Sequence, residues 1–148
     1  PGFERAFVLD TPKAGVRETR HFQGEYVLDI ADVLTIREFG DTIGKGCHPV
    51  DIGPIPDEVE QLGQRNAWYF NIPYRILVAI GRDNLLLAGR CTSATREAAG
   101  CLRPTVTCMV MGQAAGTAAA MLSGGGQAVR DIDTRSLRDL LREQGAVL

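Results

Sequence analysis

Apolar residues in this chain fall into short runs set off by polar turns, and two later segments carry helical spacing. Arg5-Ala6-Phe7-Val8-Leu9 reads as a weak strand closed by the turn-forming Asp10-Thr11-Pro12-Lys13. Gly24-Glu25-Tyr26-Val27-Leu28 reads as a second strand that begins at its glycine. Asp29 is placed to cap a helix with Asp32 at its third position, and Ile30, Val33, Leu34 and Ile36 supply the apolar stripe. Residues 40–56 are dense in turn formers (Gly44, Gly46, Pro49, Gly53, Pro54, Pro56), which predicts an ordered loop. The polar segment that follows, up to Asn66, predicts exposure. Residues 67–78 then give two strand-like runs broken at Ile72-Pro73.

The second half is more strongly patterned. Leu85-Leu86-Leu87-Ala88-Gly89 is the kind of short apolar run that makes a buried strand, ending where a backbone is closely approached. A Cys/Ser/Thr-rich loop leads to Pro104, after which residues 105–122 predict a helix without a single charge. Gly112 and Gly116 lie inside it, each costing about 1 kcal/mol against alanine. Their spacing of four puts them on one face, which predicts tight packing there against a sheet or a cofactor. Ser123-Gly124-Gly125-Gly126 ends the helix. A last helix runs over 134–144, capped by Asp133, faced by Leu137, Leu140 and Leu141, and stopped by Gly145. The fold class is mixed α/β, an α+β arrangement.

Composition narrows the function without choosing it. The 148 residues suit one domain with a real core, and 45% hydrophobic with 23% charged residues is ordinary for a globular protein. A net charge of −2 and 6% aromatic residues give no case for nucleic acid or an anionic membrane. The uncharged run from Pro104 to Val129 contains Gly112-x-x-x-Gly116, yet it is built of Ala, Gly, Thr, Ser and Gln, which insert poorly into lipid. Cys47, Cys91, Cys101 and Cys108 show no two-residue gap, and the only histidines are His21 and His48, so no metal site is expected. Scattered buried thiols are the plain reading. The opening Pro1-Gly2-Phe3-Glu4 reads like the interior of a longer protein.

Five sequence words carry a resemblance. They are Gly15-Val16-Arg17-Glu18-Thr19-Arg20, Gly24-Glu25-Tyr26-Val27-Leu28, Ile72-Pro73-Tyr74-Arg75, Asn84-Leu85-Leu86-Leu87-Ala88-Gly89-Arg90 and Met111-Gly112-Gln113-Ala114-Ala115-Gly116-Thr117. In this order they resemble the C-terminal part of the FAD-dependent oxidoreductase family, flavoproteins of the two-dinucleotide-binding-domain class distantly similar to fumarate reductase flavoproteins. The resemblance implies a substrate-side region over residues 1–80. Residues 81–148 would be the C-terminal strand and helix part of the FAD domain. The strand–Gly-x-Gly-x-x-Gly–helix unit that holds FAD pyrophosphate in such proteins is absent: Gly44-Lys45-Gly46-Cys47-His48-Pro49 ends in Pro. A dinucleotide-binding half is therefore implied as a partner in cis or trans, or a homo-oligomer, and weak or no FAD binding by the chain alone.

The resemblance also assigns jobs to residues. Gly89 and Arg90 would meet the ribityl chain, Thr105 and Val106 would aim helix N–H groups at the flavin pyrimidine edge, and Gly112 would allow close approach. Arg103 would stand beside them. Related enzymes often carry an acidic residue at the position of Arg90, so no carboxylate-to-ribityl bond is implied. Hydride or electron transfer belongs to the cofactor. His48 is the first candidate base and Tyr74 the second, while Arg17, Arg20 and Arg96 suit a small anionic substrate. Each has a bland alternative. Arg90 and Arg103 are equally read as surface residues, Arg17 and Arg20 as ion-pair partners of Glu18 or Glu25, and His48 as a loop anchor. Tyr74-Arg75 also fits a purely structural role, and Met109 with Met111 fits core packing. A protein-interaction module derived from a flavoprotein is the competing function.

Overall fold

The computed structural model describes residues 4–7, 17–18, 20–48 and 69–148. Val8 and Leu9 of the expected strand at 5–9, residues 49–56 of the expected loop over 40–56, and the polar segment to Asn66 lie outside the described residues.

Helix α1 spans Ile30–Leu34 and starts at the capping box expected of Asp29 and Asp32. Ala31 N–H donates to Asp29 Oδ1 at 2.8 Å and Asp29 N–H donates to Asp32 Oδ2 at 3.1 Å, so two otherwise orphan donors are satisfied. Asp32 also accepts from the Tyr26 hydroxyl at 2.7 Å and from Arg37 Nη1 at 2.9 Å. Burial works against ionisation of Asp32, yet these donors outweigh it and hold the carboxyl below its ordinary range.

The glycine-rich stretch expected as a loop contains a strand instead. β1 (Thr42–Gly46) pairs antiparallel with β2 (Phe70–Pro73), Gly44 opposite Ile72 and Gly46 opposite Phe70, with a bulge between Thr42 and Gly44. The glycines serve packing rather than turning: a Cβ at Gly44 would overlap Val110 Cγ1 of the helix that lies across this strand. Pro73 ends β2, since it cannot donate to a ladder, and a 3₁₀ turn follows over Tyr74–Ile76. Asp41 anchors that turn, accepting from Arg75 N–H at 3.1 Å and Arg75 Nε at 3.0 Å.

Two other expected strands shrink to single bridges. Residues 24–28 bridge at Gly24 to Ala79 and at Leu28 to Ala94, and the Leu-rich run bridges once, Leu86 to Val78. The segments meet at isolated pairs rather than along a ladder. Backbone groups are still satisfied there: Leu87 N–H donates to Leu77 O at 2.9 Å, and Thr95 N–H to Leu28 O at 2.9 Å.

Three helices complete the described chain. The Cys/Ser/Thr-rich segment expected as a loop holds α2 (Arg96–Leu102), started by Thr95, whose side chain accepts from Ala98 N–H. α3 (Thr105–Met121) matches expectation, as does α4 (Thr134–Glu143) with Asp133 as its cap. Leu137 and Leu141 of α4 are buried in the same core as Met111, Ala114 and Ala118 of α3, Ile43 and Ile72 of the sheet, and Tyr74. No described helix is long and apolar enough to cross a membrane.

The orientation of α3 reverses one expectation. Its inward face is Thr107, Met111, Ala114, Thr117 and Ala118. Gly112 and Gly116 lie on the opposite, exposed face, where an added Cβ would meet nothing within 4 Å. They do not set the helix against the sheet. The same rotation splits the methionine pair, with Met111 fully buried and Met109 68% exposed.

Candidate functional site

The site forms where the turn after the Leu-rich run meets the start of α3. Gly89 has φ +92°, in the region that favours glycine, and an added Cβ would find only Cys108 Sγ, at 3.9 Å. Thr92 closes this turn on Gly89 O, its hydroxyl donating at 2.8 Å and its N–H at 3.2 Å. Phe22 N–H donates to Cys91 O at 3.1 Å and ties residues 20–22 to the turn. α2 then carries the chain to Arg103, and Pro104, with extended ψ of 148°, restarts it as α3.

Pro104 matters electrically. A helix leaves its first N–H groups without intrahelical partners, and a cap side chain commonly takes one. Proline has no oxygen to offer, and the start of α3 has no side-chain cap. Thr105 and Val106 are both exposed there. The positive end of a 17-residue helix thus faces outward.

A hollow of about 210 Å³ opens at this helix end, lined by Arg17, His48, Arg90, Arg103, Pro104 and Thr105. Pockets that enclose a small molecule run to roughly 300–1,000 Å³, so this one accommodates one edge of a ligand. A smaller hollow adjoins it, sharing Arg17, Arg90 and Arg103 and adding Glu18, His21, Arg96, Ala99 and Gly100. Every ionisable lining residue but Glu18 is a base.

The structure brings most of the sequence-named residues to one place. Arg17, His48, Arg90, Arg103 and Thr105 surround the larger hollow, Arg96 lines the smaller, Gly89 lies in the turn beneath, and Val106 flanks Thr105. Three residues stand elsewhere. Arg20 is exposed and lines neither hollow. Gly112 is six residues along α3 from Val106, on its outer face. Tyr74 is a correction: it is 1% exposed in the core, and its hydroxyl donates to Val129 O at 2.8 Å. Burial first, then the Glu25 charge, pushes its phenol far above the ordinary range, which suits a fixed hydrogen bond rather than proton exchange with a ligand.

Glu18 and His21 are in the wall, though the residue-level reading gave Glu18 only an ion-pair role with Arg17 or Arg20. Glu18 pairs with His21 and Arg96, while Glu25 pairs with Arg130. The signal available beforehand was their three-residue spacing, which is weak outside a helix. The thiols are free. Burial raises Cys108, with Arg90 opposing, and pushes Cys101 up to about 12. Among the described residues no group of three His, Cys, Asp or Glu gathers as metal ligands.

A mixed α/β fold with a cationic, helix-headed hollow is the setting of an anion or an electron-rich ring. The model of one family, FAD dependent oxidoreductase, matches residues 1–141 of the chain. The chain belongs to that family, and its cofactor is FAD. No curated protein and no solved structure matches it. The residues fit the flavin end of that cofactor. Gly89 leaves its backbone open to approach, and the uncapped start of α3 is a donor set for an anionic edge.

Proposed function

We propose that this chain forms the flavin-contacting and substrate-side part of an FAD-dependent oxidoreductase distantly similar to fumarate reductase flavoproteins. The observation that carries the reading is the uncapped start of α3 opening on the arginine-lined hollow beside Gly89. Bound flavin would supply the hydride or electron transfer. This chain's residues do the rest. Thr105 and Val106 N–H groups would hold the pyrimidine edge, where negative charge collects on reduction, and a helix end stabilises such charge by about 0.3–1 kcal/mol or more when partly buried. The Gly89 turn and Arg90 would hold the ribityl chain. Arg17, Arg96 and Arg103 hold the anionic group of a small substrate, and His48 carries a proton at the wall.

The outer face of α3 has its own part. Val106 and Met109, each 68% exposed, continue into Gly112 and Gly116. A dinucleotide-binding half, in cis or trans, seats on this face and brings the pyrophosphate-holding loop that the sequence lacks. The face equally favours the competing reading, a non-catalytic module that docks another protein. Flavin separates the two. Thr105→Pro deletes one N–H while leaving the helix start intact, because proline is accepted at the first helical position. Titrated with FAD, the wild-type chain quenches flavin fluorescence, and Thr105→Pro weakens binding by about tenfold, the value of one hydrogen bond to a charged group. A chain that leaves FAD fluorescence unchanged supports the docking module.

A further inference from the structure

A recess of about 140 Å³, lined in part by Phe39, Thr42, Lys45, Asn71 and Arg138, shares no residue with the two hollows at the start of α3. One water needs roughly 10–15 Å³ of such space, so a small organic ion fits. Arg138 comes from α4. Its Nη1 donates to Gly40 O at 2.8 Å, which fixes the guanidinium, while its Nε is buried and has no acceptor among the described residues. Buried donors are nearly always satisfied, so this one marks a place where an acceptor belongs. The guanidinium is a planar fork, and its Nε and Nη2 form one edge that matches the two oxygens of a carboxylate.

A second cation stands in the same wall. The Lys45 ammonium lies 4.7 Å from the centroid of the Tyr69 ring, which positions its charge without neutralising it. Neither Lys45 nor Arg138 joins an ion pair among the described residues. Glu38 is the one acid of the lining, so two bases against it leave the wall positive by one charge. The wall is also held in place. Asn71 Nδ2 donates to Arg37 O and the Thr42 hydroxyl to Phe39 O, each at 2.9 Å, which pins the strip carrying Glu38 and Phe39 to the sheet. That strip follows Ile36, whose φ of 51° is the one positive value at a non-glycine among the described residues. Strain of this kind persists where the surrounding structure over-determines it, and it clusters at ligand sites. We propose that this recess is a second binding site, separate from the flavin hollow, that takes a small monocarboxylate between Arg138 and Lys45. Phe39 and Leu148 offer apolar surface to its carbon end.

The test is arginine Nε–H NMR on the full isotope-labelled chain, with sodium acetate replacing sodium chloride at constant ionic strength. The Arg138 resonance is assigned through its own side-chain carbons, and its loss in Arg138→Lys is the check. The expected result is a shift of that resonance that saturates with acetate in the millimolar range. In Lys45→Gln the curve should move to about fivefold higher acetate, the upper end for a solvent-screened ion pair, while Lys45→Arg keeps the wild-type curve. The hollow at the start of α3 is basic too, so the readout is the Arg138 resonance itself rather than total acetate bound. A resonance that acetate leaves unmoved, or one that drifts without saturating, overturns the proposal: the recess then holds water or screening ions only. A curve unchanged in Lys45→Gln also overturns it, since the two-cation clamp is then absent. Should Lys45→Gln fail to fold, the wild-type titration still decides. None of these outcomes depends on flavin, so the oxidoreductase reading stands or falls on the FAD titration alone.

Discussion

Tyr74 shows how a residue in a functional-looking sequence word can belong wholly to the core. Tyr74→Phe keeps the ring but strands Val129 O, which now accepts at 2.8 Å. The expected cost is about 1–3 kcal/mol in urea unfolding, with flavin binding unchanged. Asp32 behaves oppositely with pH. Its folded-state pKa is depressed, so its contribution is present above the unfolded value of about 3.9 and lost as pH falls through the lower folded value. Asp32→Asn should cost about 1–3 kcal/mol at neutral pH. Measured across an acid series, the difference from wild type should shrink below about pH 4. The thiols give a third residue-scale expectation. Cys47 is exposed, whereas Cys101 is buried with its pKa pushed up to about 12. Iodoacetamide mapping at mildly alkaline pH should label Cys47 first and leave Cys101 unmodified until unfolding.

Among the elements, those with local rules were legible and those made by long-range packing were not. The caps at Asp29 and Asp133, the proline before α3 and the glycines after it define α1, α3 and α4 from neighbours alone. β1 was hidden because glycine density normally signals a turn, yet here glycine lets Val110 of α3 lie on the strand. α2 was hidden by its short length and by the Cys/Ser/Thr run ahead of it, though Thr95 is an ordinary cap. The face of α3 was misassigned for a plain reason. Apart from the glycines, small and apolar residues lie on both sides of the helix, so periodicity could not choose which side turns inward. A measurable consequence follows. Gly112→Ala and Gly116→Ala place a Cβ in open space, and each should raise the stability of the chain by up to about 1 kcal/mol in urea unfolding. Gly44→Ala, against Val110, should destabilise by about 1–3 kcal/mol.

At the scale of the molecule, one core gathers residues from Leu28 to Leu141 and leaves two features turned outward: the start of α3 with its basic hollow, and the uncharged face along the same helix. The sequence named five of the six residues that line the larger hollow, all but Pro104: Arg17 and Arg90 stand in the matching words, His48 on the glycine-rich loop, and Arg103 and Thr105 at the expected helix start. It could not supply the contacts of His21 with Thr92 and of Glu18 with Arg96, which are made in space across more than seventy positions. The central claim is that the Gly89 turn and the α3 start receive a flavin. Thermal unfolding of the full chain over increasing FAD tests it most directly. Ligand at a hundredfold over its dissociation constant adds about 2.7 kcal/mol, so the midpoint should climb with FAD in the wild type. In Gly89→Val, whose side chain fills the approach, the climb should be abolished. A midpoint indifferent to millimolar FAD, or an equal rise in the variant, contradicts the account.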